Sequence, residues 1–173
     1  VVINHANVFS RECLDIGTRF LLQHLPQMPT AERVVDLGCG AGPLALAAAR
    51  RYPSARILGV DQSFMAIRSA AETLAANGFE SRFEGRAADG LADQPPASVD
   101  LILCNPPFHQ GATVSRRVAA HMFRESRRVL RPGGRLLVVG NRHLGYHAGL
   151  KGLFGAVQTV ASDRRFVVLR ATR

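Results

Sequence analysis

Apolar residues in this chain come in short runs separated by polar stretches of a different period. Residues 33–37, 56–60, 82–87, 99–104, 136–139, 156–161 and 166–170 are brief, apolar and mostly bounded by turn residues, and they read as strands. In the first five, runs such as Leu101-Ile-Leu and Leu136-Leu-Val-Val lack polar alternation, as strands covered on both faces of a parallel sheet do. Residues 43–51, 64–77 and 113–130 lie between them and read as helices. The first opens on Pro43, a position where the missing N–H costs little. The others stop at Asn77-Gly78 and at Arg131-Pro-Gly-Gly134. Residues 15–25 read as an extra helix, so 1–30 form an N-terminal helical extension joined to the sheet through Gln27-Met-Pro-Thr30. The link between the last two strands, 162–165, is too short for a crossover helix, so those strands pair antiparallel. The pattern predicts an α/β, Rossmann-like doubly wound fold. It has seven strands, mostly parallel with the last antiparallel, and helices on both faces.

The length of 173 residues suits one domain with a full core, taken as 1–173. No apolar run approaches the ~20 residues of a membrane helix, and no cationic leader precedes an apolar segment, so no membrane partner is expected. The chain has no initiating Met and reads as a piece of a longer protein. Cys13, Cys39 and Cys104 are far apart and form no CxxC pair, which fits a reducing, cytoplasmic setting. Charge changes the picture more. The net charge is +9, and 21 of the 22 basic residues are Arg. A preference for Arg codons would explain Arg over Lys, but not the excess of positive charge. A polyanionic partner is expected. His109, His121, His143 and His147 lack the spacing of metal ligands beside a carboxylate, so no metal is expected.

Two motifs carry the chemistry. The first is Asp36-Leu-Gly-Cys-Gly-Ala-Gly42, between a strand and a helix. Glycine lets the chain turn sharply and lets backbone approach a ligand. A dinucleotide site wants GxGxxG, but here Gly38, Gly40 and Gly42 give GxGxG, and Pro43 stands where the third glycine would be. Asp36 at the strand end is expected to point its carboxylate into the turn. That would repel a pyrophosphate and attract a cationic amino-acid moiety, which favours S-adenosylmethionine (SAM) over NAD. Asp61 ends the second strand and suits the ribose hydroxyls. Asp89, after the third strand, suits the adenine amino group. Cys39 and Gln62 sit beside these residues and complete the candidate cofactor site.

The second motif is Asn105-Pro106-Pro107-Phe108, after the fourth strand. An exocyclic amine on a base or amide is a poor nucleophile, because its lone pair is delocalised. Two acceptors set against its N–H groups help the nitrogen pyramidalise, and the Asn105 side-chain oxygen and Pro106 carbonyl supply them. Pro106 and Pro107 fix the loop. Phe108 offers a face for a flipped base. Such transfer needs no metal, since the electrophile is a sulfonium carbon.

These residues resemble the SAM-dependent methyltransferases, a class I Rossmann-like family, and its amino-methylating members in particular. Val8-Phe-Ser-Arg-Glu12 with Leu14-Asp-Ile-Gly17, Asn105-Pro-Pro-Phe-His-Gln110 and Gly140-Asn-Arg-His-Leu-Gly-Tyr-His147 are similar to the ribosomal RNA guanine-N2 methyltransferases. The large-subunit (23S) members are most similar and the small-subunit (16S) members next. The resemblance implies methyl transfer from SAM to guanine N2 in ribosomal RNA. It also implies a missing N-terminal domain that aids RNA binding, and a place for Phe9, Asp15 and Gly17 near the methionine end of the cofactor.

Arg117, Arg124, Arg128 and Arg131 fall within about 60° of one another on a helical wheel and make an exposed stripe. They are candidates for RNA phosphates. His109, Asn141, Arg142, His143 and Tyr146 are candidates for the flipped guanine or its flanks. Two other readings remain open at this stage. One is methylation of glutamine N5 in a protein or of adenine N6, by the same tetrapeptide. The other is a non-catalytic RNA-binding domain with a dead cofactor pocket.

Overall fold

The computed structural model describes residues 1–6, 8, 13–25, 30–107 and 112–173. Seven strands form one sheet: β1 (Arg33–Leu37), β2 (Arg56–Asp61), β3 (Phe83–Ala87), β4 (Val99–Cys104), β5 (Leu130–Asn141), β6 (Ala156–Ser162) and β7 (Phe166–Thr172). Their order across the sheet is β3-β2-β1-β4-β5-β7-β6. The first five pair in parallel, and β7 runs antiparallel between β5 and β6. The expected mixed sheet and its antiparallel last strand are both present.

The apolar runs explain why helices must cover both faces. In β5, Leu137 and Val139 turn to one face with Val34, Ile57, Leu101 and Leu103. There they meet α1 (Ile16–Leu22) and α2 (Pro43–Arg51). Leu136 and Val138 turn to the other face with Val35, Ile102 and Cys104. They are covered by α4 (Ala112–Val129) and α5 (Tyr146–Phe154). Period-two geometry splits an unbroken apolar run between two cores in this way. α3 (Phe64–Ala75) packs beside α2 and carries the N-terminal segment along its outer side. Ile3 N–H donates to Thr73 Oγ1 at 2.9 Å and His5 N–H to Ser69 Oγ at 3.0 Å.

Two elements depart from the sequence reading. β5 begins at Leu130 rather than at 136, because Leu130 pairs with Val99 before a register shift and the Pro-Gly-Gly turn is drawn into the sheet. Gly133 N–H donates to the Arg173 carbonyl at 2.8 Å, and Arg173 N–H donates to the Gly134 carbonyl at 3.0 Å. The sequence reading also lacks α5, where Gly149 and Gly152 depress local helix propensity and packing of Leu150 and Phe154 supplies the stability.

Gly140 is needed for a steric reason. A Cβ there would overlap the Tyr146 ring, which meets Phe123 edge-on with centroids 5.2 Å apart. Gly140→Ala is therefore expected to destabilise the fold by about 1–3 kcal/mol, the usual cost of overpacking. Urea unfolding reads this as a lowered midpoint, and an unchanged midpoint would contradict it.

Candidate active site

The register of the sheet lines up one edge. Leu37 pairs with Val60 on one side and Cys104 on the other, and Asp61 pairs with Ala87. Gly38, Asp61, Ala88 and Asn105 therefore stand side by side at the carboxyl ends of β1 to β4. Chain order reverses between β1 and β4, and open α/β sheets bind ligands outside that crevice.

The glycine turn is held by backbone. Gly38 N–H and Cys39 N–H donate to the Val60 carbonyl at 2.8 and 3.0 Å. Gly38, Gly40 and Gly42 have φ of +77°, +53° and +79°, a region that glycine enters without strain. No atom would lie within 4 Å of a Cβ on Gly40, so the backbone there faces open space. Asp61 ties the turn to β2. Its Oδ2 accepts from Gly40 N–H at 3.0 Å, and its Oδ1 accepts from Ser63 N–H at 2.9 Å.

Asp36 lies under the turn and does not point into it. It is fully buried, and its Oδ2 accepts from Ala45 N–H at 2.8 Å. The N-cap of α2 is Gly42, which has no side chain to offer, so a carboxylate from the adjoining strand satisfies the helix start instead. Oδ1 is buried without a hydrogen-bond partner among the described residues. Burial pushes the Asp36 carboxyl up from 3.8 to about 7; the Ala45 N–H opposes this and the Asp61 charge adds to it.

Two cavities flank the turn. One, of about 310 Å³, is lined by Asp61, Gln62, Asp89, Asn105, Pro106 and Pro107, with His121 and Met122 contributed by α4. Gln62 Nε2 donates to Asp89 Oδ1 at 2.6 Å, which ties these two neighbours together. The other, of about 250 Å³, is lined by Asp15, Thr18, Cys39 and Leu44 among others. Gly38, Gly40 and Asn105 line both cavities, so the two meet at that point.

Asn105 is held from the α1 side. Its Nδ2 donates to Asp15 Oδ2 and to Thr18 Oγ1, each at 2.9 Å. Asp15 also caps α1 by accepting from Thr18 N–H at 2.8 Å. Gly17 lies against the same group, and a Cβ there would come within 3.1 Å of Asp15 Oδ2.

The methyltransferase small domain family matches residues 1–170. The chain belongs to that family. It is 54% identical over 172 residues to the ribosomal RNA large subunit methyltransferase G of Ectopseudomonas mendocina, and the match covers 99% of this chain and 46% of that protein. The protein of the same name from Streptomyces coelicolor is 53% identical, with 99% and 46% covered. Among solved structures, the T. thermophilus 16S rRNA N2 guanine methyltransferase RsmC, in complex with AdoMet and guanosine, superposes with a TM-score of 0.84. It is 32% identical, and the match covers 96% of this chain and 45% of that one. The chain thus spans just under half the length of these relatives.

For this methyltransferase-family chain, the structure gathers Asp15, Gly17, Gly38, Cys39, Gly40, Asp61, Gln62, Asp89, Asn105, Pro106 and Pro107 around the two cavities or against the residues lining them. Gly42 stands behind them, packed on Ala70. Phe9, Phe108 and His109 lie outside the described residues. Sequence reasoning missed Thr18, His121 and Met122 as lining residues. An Asp-x-x-Thr capping pattern marks Thr18 in the sequence; nothing there separates Met122 from an ordinary core position.

Other expected contacts fall elsewhere. The Arg128 guanidinium does not face outward with the stripe. It donates to the Gln94 and Leu91 carbonyls at 2.8 and 2.5 Å and pairs with Glu125 at 3.1 Å, bracing the loop before β4. Arg131 pairs with Asp100 at 2.7 Å. Arg117 and Arg124 are exposed as expected. Tyr146 is buried against Gly140 and Phe123, so its ring belongs to the core and not to a base-binding face, and burial pushes its phenol up. Asn141 ends β5, Arg142 Nη1 donates to the Asp163 carbonyl at 3.1 Å, and His143 is exposed. Cys39 and Cys104 are buried free thiols pushed up by desolvation, unlike an activated nucleophile. Among the described residues, no helix is long and apolar enough to cross a membrane.

Proposed function

We propose that this domain, 1–173, transfers a methyl group from SAM to the exocyclic N2 amine of a guanine in ribosomal RNA. One observation carries the reading: the Asn105 amide stands where the two cavities meet, with its nitrogen occupied by Asp15 and Thr18 and its oxygen left to accept. An oxygen so placed accepts from an N–H of the target amine and favours the pyramidal, nucleophilic form of that nitrogen.

The residues present fit SAM. Asp61 and Asp89 give a cavity wall with acceptors for ribose hydroxyls and the adenine amino group, and Gln62 holds Asp89 in place. The open backbone at Gly40 leaves room for the amino-acid end. When bound, SAM supplies an electrophilic methyl whose bonding electrons stay with sulfur, so the nitrogen keeps the new C–N bond and sheds one proton. The chain's own residues bring the amine into line, accept its N–H and shape the groove. The names of the relatives support a guanine of ribosomal RNA as target. The net charge of +9 and the exposed Arg117, Arg124, Arg142 and His143 support a polyanion. The wide spacing of Cys13, Cys39 and Cys104, with no CxxC pair, supports a reducing, cytoplasmic setting.

The test is incubation of the purified protein with SAM and unmodified ribosomal RNA, followed by mass spectrometry of the nucleosides. N2-methylguanosine is the expected product; N6-methyladenosine or no product would refute the reading. In the same series, Asp61→Ala is expected to weaken SAM binding about a hundredfold, the scale of one or two charge-assisted hydrogen bonds. Calorimetry measures it, and an unchanged Kd would remove Asp61 from the cofactor site.

A further inference from the structure

The Asn105 side chain reaches across from β4 to α1, and its position there has a consequence for the reaction. Resting on the function proposed above, we infer that Asp15 and Thr18 are positioning residues that fix which end of the Asn105 amide faces the substrate amine.

An amide can point either end toward a neighbour, and the two ends have opposite chemistry. Nitrogen only donates and oxygen only accepts. Asp15 decides between them. An ionised carboxylate only accepts, so Asp15 Oδ2, at 2.9 Å, accepts from Nδ2 and excludes Oδ1 from that side. Turning the amide over would set oxygen against a carboxylate oxygen at the same place. Thr18 Oγ1, also at 2.9 Å, takes the second hydrogen of Nδ2. Both N–H bonds are then spent on α1, and Oδ1 is the arm left for the groove.

The surroundings reinforce this choice. Thr18 is 5% exposed, so its side chain has little contact with water. Asp15 Oδ2 is itself fixed by Thr18 N–H at 2.8 Å, at the start of a helix packed on the sheet. A Cβ on Gly17 would stand 3.1 Å from Asp15 Oδ2 and 3.6 Å from Asn105 Oδ1, so glycine keeps the group uncrowded. Donation from Nδ2 into a carboxylate also draws electron density toward Oδ1 and strengthens it as an acceptor. Positive charge grows on the amine as the C–N bond forms, so that strengthening acts most in the transition state. Asp15 thus acts through Asn105, although it also lines the cavity on the α1 side.

The experiment compares Thr18→Val, Thr18→Ser and Asp15→Asn with wild type, using unmodified ribosomal RNA and SAM. Circular dichroism reports the folded fraction, and calorimetry reports SAM affinity. Thr18→Val keeps the side-chain volume and loses the acceptor. It is expected to lower kcat about tenfold per folded molecule, with KM for RNA and Kd for SAM changed less than about twofold. Thr18→Ser restores the hydroxyl and is expected to return kcat to within about threefold of wild type. Asp15→Asn retains a capping oxygen, removes the charge and is expected to lower kcat at least about tenfold. Full kcat in both Thr18→Val and Asp15→Asn overturns the inference. So does weakened SAM binding with kcat at saturation intact, which would make the pair cofactor ligands. A Thr18→Ser enzyme as slow as Thr18→Val overturns it too. A wild-type protein that forms no N2-methylguanosine instead removes the proposed function, and the inference falls with it.

Discussion

Asn105→Ala is expected to lower kcat by about 10²- to 10³-fold while SAM affinity stays within about threefold, the pattern of a lost transition-state acceptor. Alanine removes the oxygen that receives the amine N–H and leaves Asp61 and Asp89 on the cofactor side untouched. Asn105→Asp sharpens the test. It keeps the shape and one oxygen, but sets a second carboxylate against Asp15, where Nδ2 now donates at 2.9 Å. Repulsion would raise the proton affinity of the pair or turn the side chain away, so this isosteric change is expected to be about as damaging as alanine. Single-turnover transfer of labelled methyl, with calorimetry for SAM, separates chemistry from binding. Activity above one-tenth of wild type in Asn105→Ala would exclude the acceptor role.

The second large effect concerns stability. Asp36 is fully buried, and its carboxyl titrates at about 7 in the fold against an ordinary 3.8. Below pH 3.8 it is protonated in both folded and unfolded chains and costs nothing. Between the two values the folded chain keeps a proton that the unfolded chain has released, so stability falls as pH rises. Above pH 7 both are ionised and the whole cost is present, about 4 kcal/mol on this shift. Asp36→Asn has no charge to bury, and its oxygen can still accept from Ala45 N–H. The stability of wild type minus that of Asp36→Asn is thus expected to drop by about 4 kcal/mol from pH 4 to pH 8. Glu72, lowered by hydrogen bonds from Arg68 and His5, and Asp163, lowered by the N–H groups of Phe166 and Arg165, act with the opposite sign. They are common to both proteins and cancel in the difference. Denaturant titrations across that range make the measurement, and parallel pH curves for the two proteins would sink the claim.

Much of this molecule is written in local pattern. Apolar runs such as Leu136-Leu-Val-Val locate the central strands, because a strand covered on both sides has no polar alternation to show. The glycine turn and the Asn-Pro-Pro segment mark the edge where the cavities lie, since both follow strands whose register the sheet then aligns. What local pattern does not carry is the partner chosen at long range. Asp36 reads as a carboxylate aimed at a ligand, yet it caps a helix that offers only Gly42. Arg128 shares a wheel face with Arg117 and Arg124, yet the loop from Leu91 to Gln94 supplies carbonyls that hold it. Tyr146 sits in a polar-looking segment, yet a glycine on the adjacent strand opens a slot for its ring. Thr18 is marked in the sequence only as the position whose N–H Asp15 caps, and its hydroxyl matters because Asn105 arrives beside it from a distant strand.

The placement of β7 bears on how the fold is reached. β7 follows β6 in the chain but lies between β6 and β5, so neither neighbour has its hydrogen-bonding edge satisfied until residues 166–172 are in place. During synthesis, the side of β5 rich in Leu and Val waits as an open template for any passing extended segment. Vectorial assembly of this sheet therefore ends when residues 166–172 pair with β5, bringing β6 with them, and the danger of mispairing falls in the interval just before that.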